Sequence, residues 1–205
     1  MRAPFFTFEK RIMSKSICVY CASSSRIDEK YFKAADELGR GIAEREMTLV
    51  FGGGARGAMG RLADAALAAG GRVIGVMPEF MVDLEWAHPG CTELIITVSM
   101  HERKAGLIDN VDAVVALAGG SGTLEELIET ITLKRLGKFL QPIVLVNTDG
   151  FYNPLIAQYN RFIDENFMDE RHRSMWSVVD APAHVFDAID NSADWSSDAH
   201  HFAAL

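Results

Sequence analysis

Two glycine-rich turns and a few charged side chains hold most of the chemistry this chain can offer. Phe51-Gly52-Gly53-Gly54-Ala55-Arg56-Gly57 follows the apolar Met47-Thr48-Leu49-Val50. Ala118-Gly119-Gly120-Ser121-Gly122-Thr123 follows Val111-Asp112-Ala113-Val114-Val115-Ala116-Leu117. Each precedes a stretch with helical periodicity. Glycine lets the main chain turn tightly and lets a ligand come close to backbone N–H groups. A helix start adds unpaired donors and the positive end of the macrodipole, so both turns suit a phosphate. Gly52, Gly53, Gly54 and Gly57 form one candidate nucleotide loop. Gly119 to Thr123 form the other.

Thr123-Leu124-Glu125-Glu126 has the form of a capping box, with Thr123 at the N-cap and Glu126 turned back to its amide. A cap alone does not call for three glycines in four positions ahead of it. The same geometry would set a carboxylate one turn from a bound phosphate. In Ser99-Met100-His101-Glu102-Arg103-Lys104-Ala105-Gly106-Leu107, the residues Met100, Arg103, Lys104 and Leu107 share a helical face. That puts a guanidinium among apolar side chains, either as a functional group, as a snorkelling cation, or as an ion pair with Asp109 or Asp112.

Several other chemistries fail on spacing. Neither turn ends in the Gly-Lys-Ser/Thr of a P-loop. Thr123 stands where a nucleophile elbow needs its last glycine. His101-Glu102 has Ala105 where a zincin needs its second histidine. Gly52-x-Gly54-x-x-Gly57 does fit a dinucleotide fingerprint, with Glu79 at the distance of a ribose contact; it follows the second strand and not the first, so a dinucleotide role stays as a minor alternative. Cys18 and Cys21 have CxxC spacing inside an apparent strand, where alternation sends them to opposite faces, so they read as core thiols. Asp64, on an alanine-rich helix, reads as solvated. His172, His200 and His201 show no ligand spacing, and no metal site is expected.

The elements that must position these groups alternate regularly. Strands are expected at 17–21, 47–51, 72–77, 93–98, 111–117, 142–147 and 176–179. Helices are expected at 31–45, 58–69, 100–109, 123–136, 152–166 and 183–189, with 78–90 an irregular loop near the site. Uniformly apolar strands alternating with helices imply an α/β fold, a Rossmann-like doubly wound parallel sheet with helices on both faces. Ligands then bind beyond the carboxyl ends of the strands. One domain over 14–191 is expected, with 1–13 and 192–205 as flexible termini.

Composition narrows the class further. Of 205 residues, 49% are hydrophobic and 23% charged, ordinary for a globular domain. The net charge of −8 argues against nucleic acid or an anionic membrane as partner. Three irregularly spaced cysteines fit a reducing cytoplasm. The opening Met1 to Phe8 runs into Glu9, Lys10 and Arg11 without the long apolar stretch of a signal peptide.

Four segments occur in a telling order: Cys18-Val19-Tyr20-Cys21-Ala22-Ser23-Ser24-Ser25, Gly52 to Gly60, Met100-His101-Glu102-Arg103-Lys104-Ala105, and Gly119-Gly120-Ser121-Gly122-Thr123-Leu124-Glu125-Glu126. Together they resemble the Lonely-guy family of cytokinin riboside 5′-monophosphate phosphoribohydrolases, once labelled lysine decarboxylases. The resemblance implies cleavage of the N-glycosidic bond of a purine nucleoside 5′-monophosphate, without cofactor or metal, by a homodimer or higher homo-oligomer. It implies Arg103 and Glu126 as the catalytic pair. Gly119, Gly120, Ser121, Gly122, Thr123, Leu124 and Glu125 become the phosphate and substrate turn, and Glu85, Lys104 and Thr132 further contacts. Ala118 and Leu133 depart from the family's usual proline and tryptophan. The competing reading is a non-catalytic nucleotide or molybdenum-cofactor carrier on the same fold, which needs the glycine turns but not the Arg103–Glu126 pair.

Overall fold

The computed structural model describes residues 15–84 and 86–203. The opening stretch, Glu85 and residues 204–205 lie outside that range. Seven strands, β1 (Ser16–Tyr20), β2 (Thr48–Phe51), β3 (Arg72–Pro78), β4 (Glu93–Thr97), β5 (Ala113–Ala116), β6 (Ile143–Val146) and β7 (Ser177–Val179), form one sheet in the order β4-β3-β2-β1-β5-β6-β7. Every pairing is parallel. A parallel sheet buries both faces, so its central strands can be apolar throughout. β1, β2, β5 and β6 are indeed buried at every position.

Alternation along β1 divides the core. Ile17, Val19 and Cys21 face α1 (Glu29–Glu44), α2 (Gly57–Ala68) and α7 (Val185–Asp190). Cys18 and Tyr20 face α4 (Met100–Ile108), α5 (Ser121–Arg135) and α6 (Asn153–Asp164). The two cysteines therefore sit on opposite sides of the sheet, both free and buried, as the period of two requires. Burial raises both thiols well above their ordinary range and keeps them protonated. The expected doubly wound fold is what forms. Among the described residues no helix is long and apolar enough to cross a membrane.

Chain order fixes where a ligand can enter. From β1 the chain steps outward through β2, β3 and β4, then returns across β1 to lay down β5 on its other side. That reversal leaves a crevice over the carboxyl ends of β1 and β5, the place where open α/β sheets bind ligands. The 78–90 stretch, expected to be irregular, opens with a five-residue helix, α3 (Glu79–Asp83).

Residues 192–203 correct the expectation of a loose tail. The Trp195 indole Nε1–H donates to the Lys134 carbonyl at 2.6 Å, and Phe202 packs 5.3 Å from the His172 ring. Ala199 and Ala203 are buried, the latter in a short final helix, α8 (His200–Ala203). The sequence is poor in apolar residues there, yet four well-placed ones suffice to lay the segment back on α5.

Gly57 has φ of +65°, and a Cβ on it would lie 2.4 Å from the Ser23 carbonyl carbon, so it lets the β2 turn pack on the β1 turn. Gly70 also has positive φ but nothing within 4 Å. Gly57→Ala is expected to cost about 2–4 kcal/mol, against about 1–2 kcal/mol for Gly70→Ala, whose penalty is backbone strain alone. Urea unfolding of the two variants side by side checks this; equal losses would remove the packing role of Gly57.

Candidate active site

α4 starts with a near relative of the capping box, whose return bond goes to the residue before the N-cap Ser99. The Glu102 amide donates to Ser99 Oγ at 3.2 Å, and the Val98 amide donates to the Glu102 carboxylate at 3.0 Å. This fixes the first turn of α4 and with it the direction of Arg103, the next residue. Arg103 is 8% exposed in its side chain. Its Nε donates to the Val76 carbonyl in β3 at 3.2 Å and its Nη1 to Glu126 Oε1 at 2.6 Å. Nη2 occupies the space above Gly52, where a Cβ would stand only 2.4 Å away. Gly52 is thus glycine because a guanidinium fills its side-chain position. Of the alternatives left by the sequence, the ion pair wins, but its partner is Glu126 on α5 and not Asp109 or Asp112. Asp112 instead accepts from the Ser16 amide at 2.7 Å.

α5 begins three residues earlier than its capping-box pattern suggests. Gly120 is the N-cap, and no side chain caps the helix. Thr123 is buried in the first turn, with its side chain against Gly119, where a Cβ would meet Oγ1 at 2.1 Å. The capping reading of Thr123 and Glu126 is therefore overturned: Glu126 lies five residues beyond the helix start, too far along to reach back, and turns to Arg103 instead. The amides of the first turn have no acceptor within the helix. Gly120, Ser121 and Gly122 are exposed, and nothing stands within 4 Å of a Cβ on Gly120 or Gly122. An anion can reach these donors unobstructed.

Burial is the largest influence on Glu126 and raises its carboxyl above the ordinary 4.5, with the Arg103 charge and hydrogen bond pulling the other way. The result is a desolvated carboxyl whose charged form is favoured chiefly by Arg103 and, from farther off, by Lys104. α5 is itself anchored a turn farther on, where the Tyr20 hydroxyl bonds Thr130 Oγ1 at 2.9 Å and Thr130 Oγ1 donates to the Glu126 carbonyl at 2.9 Å. The Tyr152 hydroxyl donates to the Leu117 carbonyl at 2.7 Å, which steadies the approach to the second glycine turn.

The remaining candidates divide. Lys104 is committed to Glu125 at 2.5 Å and Glu129 at 2.9 Å, so it clasps α4 to α5 beside the buried pair. Its ammonium is raised above the ordinary range first by the Glu125 hydrogen bond, then by that of Glu129. Leu124 and Glu125 are exposed on the first turns of α5. Thr132 stands about 9 Å of helical rise beyond Glu126. It bonds back to the Ile128 carbonyl at 2.8 Å and lines a separate cavity of about 270 Å³ with Arg135, Tyr159 and Phe162. The structure does not bring it to the pair. Glu85 falls outside the described residues. Gly53 and Gly54 lie in the turn walled by Met77 and Met59. A dinucleotide pyrophosphate against Gly52 would have to displace Arg103, which removes the ground for the Glu79 ribose contact.

Two residues escaped the sequence reading. Asp64, read as solvated, accepts from His88 Nε2 at 3.1 Å, and His88 is buried beside the first glycine turn. Only the placement of His88 in a loop near the site hinted at a role; its partner lies 24 residues away.

A sequence profile for the family described as "possible lysine decarboxylase" matches residues 59–189. A probable cytokinin riboside 5′-monophosphate phosphoribohydrolase of Oryza sativa subsp. japonica is 41% identical over 172 residues, 83% of this chain and 76% of its own. The cytokinin riboside 5′-monophosphate phosphoribohydrolase of Rhodococcoides fascians is 41% identical over 175 residues, 85% of this chain and 88% of its own. Among solved structures, the molybdenum cofactor binding protein of Rippkaea orientalis superposes with a TM-score of 0.68 at 21% identity, covering 88% of this chain and 98% of its own. The molybdenum cofactor carrier protein of Chlamydomonas reinhardtii gives 0.66 at 22% identity, over 86% and 96%. At these identities the solved structures establish the shared fold.

Removing one member of a buried pair strands the other. Arg103→Ala is expected to cost about 3–5 kcal/mol at pH 7. With its cation gone, Glu126 titrates still higher in the folded protein. A folded pKa raised above the unfolded value gives stability that is present at low pH and lost as pH rises through it. The Arg103→Ala deficit should therefore be smaller at pH 5 than at pH 7. Urea titrations at both pH values decide; a deficit independent of pH would mean that Glu126 is not buried as described.

Proposed function

Because the chain belongs to the Lonely-guy family, whose profile bears the lysine-decarboxylase description, we propose that its Arg103–Glu126 pair is the catalytic centre of that family's reaction. The protein is a hydrolase of the N-glycosidic bond of cytokinin riboside 5′-monophosphates, giving free base and ribose 5-phosphate. The observation that carries the site assignment is a desolvated carboxylate, neutralised by a single arginine, five residues behind an open helix N-terminus.

In this reading the phosphate sits on the exposed amides of Gly120, Ser121 and Gly122, with Thr123 closing the turn. Five residues of α5 rise about 7.5 Å, the scale of a ribose 5-phosphate, so C1′ arrives near Glu126. Breaking the C1′–N bond leaves its electron pair on the base and positive charge on the sugar, as in glycoside cleavage. The Glu126 carboxylate stabilises that charge and takes a proton from the attacking water, whose oxygen bonds to C1′. The departing base takes up a proton from solvent, and Glu126 releases the one it accepted to solvent before the next turnover, so that one water is added across the bond. Arg103 keeps Glu126 aimed through its own two hydrogen bonds; a guanidinium holds its protons too firmly to serve as the acid. Binding energy from the remote phosphate aligns the reacting carbon.

We further infer a homodimer acting in the cytoplasm. Leu124 and Ile128, one turn apart on α5, are 36% and 38% exposed and form an uncovered apolar face beside the site. The three cysteines are free, which suits a reducing compartment. Sedimentation of the chain as a monomer at micromolar concentration would remove the dimer.

The carrier reading makes a different demand, nucleotide binding without turnover. Incubation with AMP, N6-isopentenyl AMP and N6-isopentenyl adenosine, followed by chromatography of free base, separates the two. The expected result is base release from the monophosphates, with kcat/KM for the nucleoside lower by about 100-fold or more. Glu126→Gln should lower kcat by about 10²–10⁴-fold with the fold retained. Tight binding of intact nucleotide by the wild type would support the carrier, and normal turnover by Glu126→Gln would remove the carboxylate from the chemistry.

A further inference from the structure

His88 is a buried titratable group that the chemistry above leaves unused, and its surroundings connect it to Arg103. The segment around it runs alongside the first glycine turn. The His88 amide donates to the Gly53 carbonyl at 2.8 Å, and the Ala55 amide donates to the Trp86 carbonyl at 3.0 Å. Gly54 and Ala87 form an antiparallel bridge between these two bonds. Turn and loop therefore make a short ladder, and whatever holds the loop also holds the turn.

The His88 ring is what ties that ladder to the rest of the protein. Its Nδ1 accepts the Gly90 amide at 3.1 Å. An accepting Nδ1 places the ring proton on Nε2, which points at Asp64 Oδ1 on α2, 3.1 Å away. The ring also meets Phe51, the last residue of β2, edge to face with centroids 6.5 Å apart. Loop, helix and strand end thus converge on one imidazole. The turn it steadies meets the arginine directly at one residue and through a neighbour at the next. Gly52 lies directly under Arg103 Nη2, and Gly53 packs on Met77, the neighbour of Val76, whose carbonyl accepts Arg103 Nε.

We propose that His88 is a positioning residue for the Arg103–Glu126 pair, acting through the Gly52–Gly54 turn. The inference rests on the phosphoribohydrolase reading and adds to it a residue remote from the phosphate. A group that only stabilised the fold would change the unfolding midpoint and leave turnover per folded molecule intact. A group that sets the arginine socket changes kcat, because small misplacements of a catalytic group are costly in rate. The phosphate grip lies on α5, so KM should respond little.

The test compares wild type, His88→Ala, His88→Gln and Asp64→Ala with N6-isopentenyl AMP as substrate, each variant also unfolded in urea to fix its folded fraction. His88→Ala is expected to lower kcat about tenfold or more with KM within about threefold. His88→Gln, whose side-chain amide can donate to Asp64 from the place of Nε2, should recover most of that loss. Asp64→Ala removes only the ring's anchor, from a side chain 70% exposed, and should lower kcat about threefold. A kcat for His88→Ala within twofold of wild type, or a loss confined to KM, overturns the proposal. If His88→Ala does not fold, Asp64→Ala decides, and wild-type kcat in that variant overturns it equally. A wild type that releases no base ends the functional reading and the proposal with it; an active wild type with indifferent variants ends the proposal alone.

Discussion

A guanidinium and a carboxylate that both leave water must find each other, and most of the local architecture follows from that requirement. Neither Arg103 nor Glu126 would be tolerable at its depth alone. Their pairing joins α4, the helix that brings the chain back across the sheet, to α5, the helix whose N-terminus faces the crevice. The surrounding contacts make the geometry unique. Ser99 and Glu102 start α4 at a fixed residue, Val76 supplies a backbone acceptor, and Gly52 leaves room for the third nitrogen. Lys104 with Glu125 and Glu129 closes the same helix pair from the solvent side. That outer clasp is exposed and contributes little by itself.

The fold was legible because a parallel sheet writes itself as short apolar runs separated by amphipathic ones. Strand limits read from the sequence differ from the observed ones mostly by one or two residues, and the CxxC segment was correctly divided between two cores. The residue types of the site were legible too, since three glycines in four positions and an arginine on an apolar face are both unusual. Helical spacing by itself does not show pairing across the chain. It offers Arg103 only the nearby Asp109 and Asp112, whereas the family resemblance names it together with Glu126, 23 residues away on another helix, where the ion pair is found. Asp64 looked solvated because the buried histidine that uses it comes from a loop. The capping box was sought at Thr123-x-x-Glu126, and its near relative is found at Ser99-x-x-Glu102, a segment with the same form. Local pattern cannot tell the two apart; the desolvated cation opposite Glu126 can. The final segment was read as loose from its mean composition, and composition averages away the few aromatic contacts that hold it.

The two glycine turns look alike in sequence and do opposite things. At Gly52 the absent side chain is occupied by protein, so the turn is a socket and its backbone is enclosed. At Gly120 and Gly122 the absent side chains face open space, so the turn is a landing and its amides are available. Glycine content alone marks close approach; whether the approaching group is a side chain or a ligand depends on what the next helix delivers. α4 delivers an arginine to the first turn. α5 begins at the second and delivers nothing that caps it.

On the proposed reading, this division explains how a chain of net charge −8 would hold a doubly charged phosphate. Two cations near the pair are already committed, Arg103 to Glu126 and Lys104 to two glutamates. The attraction proposed for the anion comes from the uncapped start of a 15-residue helix, whose amides and dipole act over the first turn only. Such a site has little long-range pull, so it discriminates by fit and not by bulk charge. On the same reading the sugar end of the ligand comes beside Glu126, whose charge a fixed arginine balances from behind the first turn. Because Arg103 is held by Val76 as well as by Glu126, and Lys104 by two glutamates, neither cation is free to follow the ligand. The carboxylate is then the group positioned to meet the positive charge that develops at C1′.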